Sequence, residues 1–254
     1  MLLNYSIDGS GIPLVLLHGY PFDHTLWKEV VPLLSKEAAI IAPDLQPDNR
    51  YLDSIAGFSI NDLAANVIET ISHIGYKRAI YIGHSMGGYV ALEIARHHPE
   101  NVLGLGLAAS HIYGDSERKK VQRKNTMEII REKGVSEALK SMPAALTGNA
   151  NVQRYCLEKI QSINTDYAIA ALKAMADRKP ATDVWLNVDC PRCIIAGGSD
   201  QIVSISLCQK MASVEKNIHL YVIDSSGHMP MLENPQMTAS SINNFLEKNF
   251  PIKR

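Results

Sequence analysis

The chain alternates between short continuous apolar runs and longer stretches in which apolar residues recur with helical spacing. The apolar runs predict strands that are buried on both faces of a parallel sheet. They lie at residues 12–17, 38–42, 78–82, 102–108, 192–196 and 217–224. Strict alternation of such strands with helices predicts an α/β fold, a mostly parallel central sheet wrapped by helices.

Helical spacing between these runs predicts the covering helices. They are expected at residues 27–36, 59–73, 86–98, 204–213 and 235–250. Ser59 and Asp62 form a capping-box pattern at the start of the second of these helices. Residues 45–58 are polar and rich in turn-forming residues, which predicts a loop.

The alternation stops in the middle of the chain. Residues 112–183 contain no strand pattern but four amphipathic helical segments, at 116–133, 136–142, 151–163 and 166–178. A connection of this length is too long for a simple crossover, so we expect an all-helical cap inserted after the strand Val102–Ala108. The predicted division is a core of residues 1–110 and 183–254 with a cap of residues 111–182.

Charge and leader patterns narrow the class of protein. The net charge is −1, and the chain has no basic surface pattern that would bind nucleic acid or an anionic membrane. Neither is therefore an expected partner. The most basic run, residues 117–124, is interpreted as the solvated face of a helix. The N-terminus has no signal-peptide pattern, which predicts a cytoplasmic protein. Whether it is a monomer or a homodimer stays open.

Four cysteines in 254 residues do not indicate a disulfide scaffold. Cys190 and Cys193 form a C-x-x-C pattern, but no second pair of ligands follows at the spacing of a zinc site. The pair also precedes a strand instead of opening a helix, as a redox pair would, and Cys193 is expected to face the core. The sequence therefore predicts no metal and no cofactor.

A serine lies where the strand at 78–82 turns directly into a helix. Gly83 and Gly87 flank Ser85 at two residues on either side, which is the G-x-S-x-G pattern of a nucleophile elbow. Glycines permit the close backbone approach that such a corner requires. Because Ser85 lies at a helix N-terminus, the N–H of Met86 is a candidate oxyanion donor.

Polar residues follow the ends of four predicted strands, and strand ends of a parallel sheet meet at one edge, where ligands bind. They are His18-Gly19-Tyr20, Ser85, Asp200 and His228. A serine hydroxyl needs a histidine to take its proton, and that histidine needs a carboxylate to hold it. Ser85, His228 and Asp200 are the predicted nucleophile, base and acid.

Asp224 is the rival for the role of the acid, because it also ends a strand. It lies only four residues before His228, which favours a turn cap over a triad member. His18 is interpreted as ordering its turn and His84 as a packing residue. Trp27 is either a core anchor or an apolar wall of the substrate pocket. We predict it as the candidate substrate-binding residue.

Four motifs, in order along the chain, resemble those of the α/β-hydrolase family. They are His18-Gly19-Tyr20-Pro21, the run from Gly83 to Gly88, Gly198-Ser199-Asp200 with Val203, and Gly227-His228 with Glu233-Asn234-Pro235. The resemblance implies an α/β-hydrolase fold in which the N–H of Tyr20 joins that of Met86 as the oxyanion hole. It also implies that the helical insertion is the family's cap.

Two details of the resemblance bear on the substrate. A serine at the elbow, in place of the carboxylate of dehalogenases and epoxide hydrolases, suits attack on a carbonyl carbon. After Pro43-Asp44-Leu45 many relatives carry a Gly-x-Gly-x-Ser loop, but residues 46–51 here read Gln-Pro-Asp-Asn-Arg-Tyr. That departure weakens an inference of the substrate from the relatives more than it weakens an inference of the mechanism.

These residues predict a serine hydrolase of carboxylesterase type, acting on a small ester, thioester or lactone through an acyl-enzyme. Acyl transfer and carbon–carbon hydrolysis or lyase chemistry would use the same three side chains, so they remain alternatives. A non-catalytic receptor for a small ligand is the alternative from a different class of protein.

Overall fold

In the computed structural model, which describes residues 1–34, 36–46 and 57–251, seven strands form one sheet in the order β1-β3-β2-β4-β5-β6-β7. The strands are β1 (Tyr5–Gly9), β2 (Ile12–Leu17), β3 (Ala38–Pro43), β4 (Ala79–His84), β5 (Val102–Ala108), β6 (Arg192–Gly197) and β7 (Ile218–Ile223). β1 pairs antiparallel with β3, and the other neighbours pair in parallel. The predicted mostly parallel sheet is confirmed.

The two faces of the sheet bury two separate apolar clusters. Val15, Leu17 and Tyr81 pack in one cluster, whereas their neighbours Leu16 and Ile80 pack in the other. Successive side chains of a strand point to opposite faces, and here both faces are covered. This arrangement explains why these strands read as unbroken apolar runs and not as alternating ones.

Strand β1 is absent from the sequence prediction. Its five residues are all exposed, and the alternation of Tyr5 and Ile7 with polar residues is too short to distinguish a strand from a loop. Pairing with β3, from Tyr5 opposite Pro43 to Gly9 opposite Ala39, defines the strand. β1 therefore depends on an edge that only the folded sheet provides.

Helices cover the sheet, and seven of the nine predicted helices are present with ends within one residue of the prediction. They are α1 (Ile60–His73), α2 (Met86–His97), α3 (Glu117–Lys133), α4 (Val135–Ala138), α5 (Met142–Leu146), α6 (Ala150–Ser162), α7 (Thr165–Asp177), α8 (Thr182–Asn187), α9 (Ile205–Ala212), α10 (Pro230–Glu233) and α11 (Pro235–Asn249). The capping box at α1 is present, with Ser59 Oγ accepting from Asp62 N–H at 3.1 Å and Asp62 accepting from Ser59 N–H at 2.8 Å. No described helix combines the length and the hydropathy that crossing a bilayer would require.

The helix predicted at residues 27–36 is wrong. Two short 3-10 helices, His24–Trp27 and Val31–Leu33, occupy this part of the chain. Pro32 explains the difference, because proline has no N–H to donate and its ring clashes with the carbonyl four residues earlier. The apolar spacing reflects burial of these turns against the sheet.

The segment between β5 and β6, residues 109–191, contains the six helices α3 to α8 and no strand. We call it the helical insertion. The segment predicted as one helix at 136–142 is two short helices, α4 and α5, because the chain turns between Leu139 and Ser141. The division into a core and a cap at residues 111–182 stays a prediction, and its second boundary falls inside α8.

Candidate active site

Ser85 occupies the sharp turn between β4 and α2. Its φ of 49° and ψ of −113° lie in a region that side chains other than glycine rarely adopt. A Cβ added to Gly83 would lie 2.1 Å from the carbonyl oxygen of Gly87, so only glycine fits beside the turn. The elbow predicted from the sequence is present.

The end of β5 and the residues just after it hold this strained turn. The N–H of Ser85 donates to the carbonyl of Ala108 at the end of β5, at 3.0 Å. The carbonyl of Ser85 accepts from Ser110 Oγ at 2.7 Å. Hydrogen bonds at both ends of the residue offset the cost of its backbone conformation and set the direction of its side chain.

His228 and Asp200 form a buried pair. His228 Nδ1 and Asp200 Oδ2 are 2.8 Å apart, and their side chains are 2% and 1% exposed. The other carboxylate oxygen, Oδ1, accepts from the N–H groups of Ile202 and Val203 at 2.7 and 3.0 Å. The carboxylate is therefore fully engaged and fixed in orientation.

The electrostatics of this pair keep Asp200 ionised. Burial acts to raise the pKa of Asp200, but the hydrogen bond and charge of His228 and the two backbone N–H groups outweigh it and lower the pKa. An ionised Asp200 accepts a hydrogen bond from Nδ1–H, which leaves the lone pair of the neutral ring on Nε2. That is the tautomer a general base needs. Asp224, by contrast, is exposed after β7.

Ser85 and His228 line one cavity of about 410 Å³, a volume suited to a small molecule. Tyr20 lines the same cavity. A Cβ added to Gly19 would lie 3.1 Å from Ser85 Cβ, so the turn that carries Tyr20 lies directly against the elbow. Met86 begins α2, where the first N–H groups have no intrahelical acceptor.

His18 anchors the turn before Tyr20. Its Nδ1–H donates to the Gly19 carbonyl at 2.9 Å, and its Nε2 accepts the N–H of Leu45 at 2.8 Å. Burial lowers the pKa of His18, so the ring stays neutral and keeps both bonds. These contacts fit the interpretation that His18 orders the turn and does not transfer protons.

His84 lies behind the site and supports it. Its Nε2 donates to the backbone carbonyl of His228 at 2.9 Å, and the ring is fully buried. Burial and, to a smaller extent, the nearby charge of His228 lower the pKa of His84 to about 3. The His84 ring also packs against the ring of His228, with the centroids 5.1 Å apart, and a neutral ring held in this way fits the packing role.

Glu233 is a supporting residue that sequence reasoning did not single out. Its Oε2 accepts from the N–H groups of Gly227 and Met229, on either side of His228, at 2.8 and 3.2 Å. The same oxygen accepts from Ser226 Oγ at 2.9 Å, and Oε1 accepts from Thr147 Oγ1 in the helical insertion. Its place in the fourth motif was visible, but its contacts depend on the turn into α10.

Trp27 does not line the cavity of Ser85. It is fully buried in the same apolar cluster as Leu26, Val30 and Phe245. This placement fits the core-anchor alternative and not the pocket wall, because the 3-10 turns direct Trp27 into the sheet face opposite to that of Tyr20.

The basic run of α3 is only partly solvated. Lys120 and Lys124 are exposed, as expected, but Arg123 is 13% exposed in its side chain and lines the cavity of Ser85. Lys119 is exposed and also reaches the cavity. The interpretation of this run as a solvated face is therefore wrong for Arg123, because α3 lies against the cavity.

Cysteine chemistry does not enter this site. The four cysteines are free, and Cys193 is fully buried, as expected. Burial raises the pKa of Cys193 and raises that of Cys190 to about 11, so both remain thiols. In the described part of the chain, no group of three His, Cys, Asp or Glu residues is placed to hold a metal ion. The departure at 46–51 lies, beyond Gln46, outside the described residues.

Comparisons with known proteins agree with this geometry. A sequence profile described as the alpha/beta hydrolase family matches residues 14–240. An esterase from Thermogutta terrifontis, solved with malate bound, superposes with a TM-score of 0.90 at 27% identity, over 97% of this chain and 93% of that one.

Two curated relatives are larger than the part they share with this chain. A soluble epoxide hydrolase of Corynebacterium sp. (strain C12) is 41% identical over 93 residues, 37% of this chain and 32% of that protein. The dihydrolipoyllysine-residue acetyltransferase component of the acetoin cleaving system of Pseudomonas putida is 26% identical over 94% of this chain and 65% of its own length. The chain thus spans less than two thirds of either relative.

Proposed function

This chain belongs to the alpha/beta hydrolase family, and on that premise we propose that it is a serine hydrolase of small carboxylic esters, thioesters or lactones. Hydrolase activity is supported by the family and by the esterase neighbour. The observation that carries the finer proposal is the buried pair of His228 and Asp200, 2.8 Å apart, in the cavity that Ser85 also lines.

In the first half-reaction Ser85 Oγ attacks the carbonyl carbon of the ester while His228 Nε2 takes the hydroxyl proton. Negative charge develops on the carbonyl oxygen, and the N–H groups of Tyr20 and Met86 are the proposed donors to it. Collapse of this intermediate breaks the bond to the alkoxy oxygen, which leaves with the proton from His228. An acyl group remains on Ser85.

In the second half-reaction water replaces the departed alcohol. His228 takes a proton from the water as its oxygen attacks the acyl carbon, and the proton then returns to Ser85 Oγ. The carboxylic acid is released and the serine is restored, so no cofactor is consumed. We propose that the helical insertion acts as the cap that limits access of water and selects the substrate.

Transfer of the acyl group to another alcohol or thiol is the second candidate. The acetyltransferase named among the relatives favours its inclusion, although the match covers only 65% of that protein. Adding an alcohol acceptor during turnover distinguishes the two outcomes. A new ester product that exceeds the free acid would indicate a transferase.

The test of the proposal is turnover of a series of short and medium p-nitrophenyl esters. We expect Ser85→Ala to lower kcat by at least about 10³-fold, since the nucleophile is lost, while the exposed Ser72→Ala on α1 keeps wild-type turnover. A fluorophosphonate should label Ser85 in the wild type. Wild-type protein that neither turns over these esters nor reacts with the probe would contradict the proposal.

A further inference from the structure

Cationic side chains of α3 share the cavity with Ser85 and His228. Arg123 and Lys119, one helical turn apart, both line it. Asp115 is the one acidic residue among the described residues that line the cavity. The wall therefore combines two cations with a single carboxylate.

That carboxylate is already neutralised from behind. Arg178 donates from Nη1 to Asp115 Oδ1 at 2.7 Å and from Nη2 to the Tyr113 carbonyl at 3.0 Å. Its guanidinium also stacks on the ring of Tyr89, with Cζ 3.8 Å from the ring centroid. Arg178 thus locks Asp115 in place, and Arg178 and Asp115 together add no net charge to the wall.

Arg123 keeps free hydrogen-bonding capacity toward the cavity. Its Nε donates to Asp115 Oδ2, but Nη1 and Nη2 donate to no atom of the described residues. Lys119 Nζ likewise has no ion-pair partner in the described ranges. Although the residue is exposed as a whole, partial burial of its amine and then the charge of Arg123 lower its pKa. Both cations therefore retain donors for a ligand.

Tyr20 lines the same cavity, but its hydroxyl is closed off from the open space of that cavity. Its side chain is buried, and Oη has no hydrogen-bond partner in the described part of the chain. Burial raises the pKa of Tyr20, while the nearby charge of Arg123 acts against the rise, so the phenol keeps its proton. Tyr20 therefore forms part of the cavity wall, and the donors open to a ligand are those of Arg123 and Lys119.

We propose that the substrate carries a carboxylate that binds Arg123, with Lys119 as the accompanying donor. This inference rests on the proposed function and specifies its substrate. Met142, Leu146, Met175 and Leu207 line the rest of the cavity and would pack against an aliphatic chain. The substrate class is thus an aliphatic ester, thioester or lactone that ends in a carboxylate.

The test compares two esters of the same shape. The monomethyl ester of a six-carbon dicarboxylic acid carries the charge, and its terminal carboxamide analogue does not. A second pair carries the carboxylate or the carboxamide on the alcohol part. We expect kcat/KM to favour the carboxylate in at least one pair by about tenfold or more, as a charge-assisted hydrogen bond provides.

Variants assign the preference to the cations. Arg123→Gln should lower the carboxylate-to-carboxamide ratio of kcat/KM by about tenfold, and Lys119→Gln should lower it less because that side chain is more exposed. Arg123→Lys keeps the charge and should retain part of the preference. Lys124→Gln removes the same charge from an exposed position of α3 and should leave the ratio unchanged.

Calorimetry measures the binding of the six-carbon dicarboxylate and of its diamide to the Ser85→Ala variant. This measurement is independent of turnover. Arg123→Gln leaves Asp115 with Arg178, and thermal unfolding reports whether the fold is kept. Equal kcat/KM within both pairs, or a preference that survives Arg123→Gln in a folded protein, would overturn the inference while hydrolysis stands. Loss of turnover of every ester with no labelling of Ser85 would instead contradict the proposed function, and the calorimetry would still decide the carboxylate site.

Discussion

For single residues, burial decides which carboxylate serves His228. Asp200 and Asp224 both follow a strand of the sheet, and the chain places Asp224 nearer to the histidine in sequence. In the fold Asp200 is buried and hydrogen-bonded to His228 Nδ1, whereas Asp224 is exposed to solvent. A carboxylate can hold one tautomer of an imidazole only where water does not compete for its oxygens.

Replacing each acid by its amide tests this assignment. Asp200→Asn should lower kcat by roughly 10³- to 10⁴-fold, because an amide no longer enforces the tautomer with a free Nε2. Asp224→Asn makes the same change at an exposed site and should leave kcat near the wild-type value. Steady-state kinetics on one ester suffices, and an inert Asp200→Asn would refute the role of Asp200.

For elements, the loop between β7 and α10 couples His228, the proposed base, to the helical insertion. Glu233 holds the N–H groups on both sides of His228, and the N–H of His228 itself donates to the Leu146 carbonyl of α5 at 2.9 Å. Thr147, next along the chain, donates to Glu233. The insertion and the His228 loop therefore share one hydrogen-bond network, in which Glu233 is a positioning residue.

Glu233→Gln should loosen this loop without touching the substrate. The amide accepts more weakly than a carboxylate, so we expect kcat to fall about tenfold with little change in KM, and unfolding free energy to fall by about 1–3 kcal/mol. Glu247→Gln, on the exposed face of α11, is the matched control. A drop in stability with kcat unchanged would assign Glu233 a structural role alone.

For the whole molecule, buried neutral histidines make the fold sensitive to acid. Burial lowers the pKa of His84 to about 3 and that of His111 to about 4, the latter helped by the charge of Arg178. In the unfolded chain histidine has a pKa of about 6.5. Between these values the unfolded state binds more protons, so stability is present above pH of about 6.5 and is lost as the pH falls.

Urea unfolding at pH 7 and pH 5 measures this loss. Each of the two histidines should contribute a fall in unfolding free energy of about 2 kcal/mol over that interval. His111→Asn should remove its share of the difference between the two pH values, whereas the exposed His73→Asn should not. A pH dependence identical in wild type and His111→Asn would contradict this origin of acid lability.

The failures of sequence-based prediction share one cause. Among the described strands β1 pairs with β3 alone and its side chains are exposed, so it has no apolar run. The helix at 27–36 was predicted from apolar spacing that results from the burial of 3-10 turns. Arg123 lies in a run that looks solvated, yet the packing of α3 brings it to the cavity. Each position depends on contacts between segments far apart in the chain.

The sequence by itself determined the parallel sheet, the elbow at Ser85 and the order of Ser85, Asp200 and His228 at strand ends. Those features are local, since they follow from burial of short runs and from the room that glycine leaves at a turn. The tertiary structure alone decided that Trp27 packs in the core, that Glu233 braces the His228 loop and that Arg123 faces the cavity. Those features depend on how the helical insertion and the loops pack on the sheet, which no local pattern records.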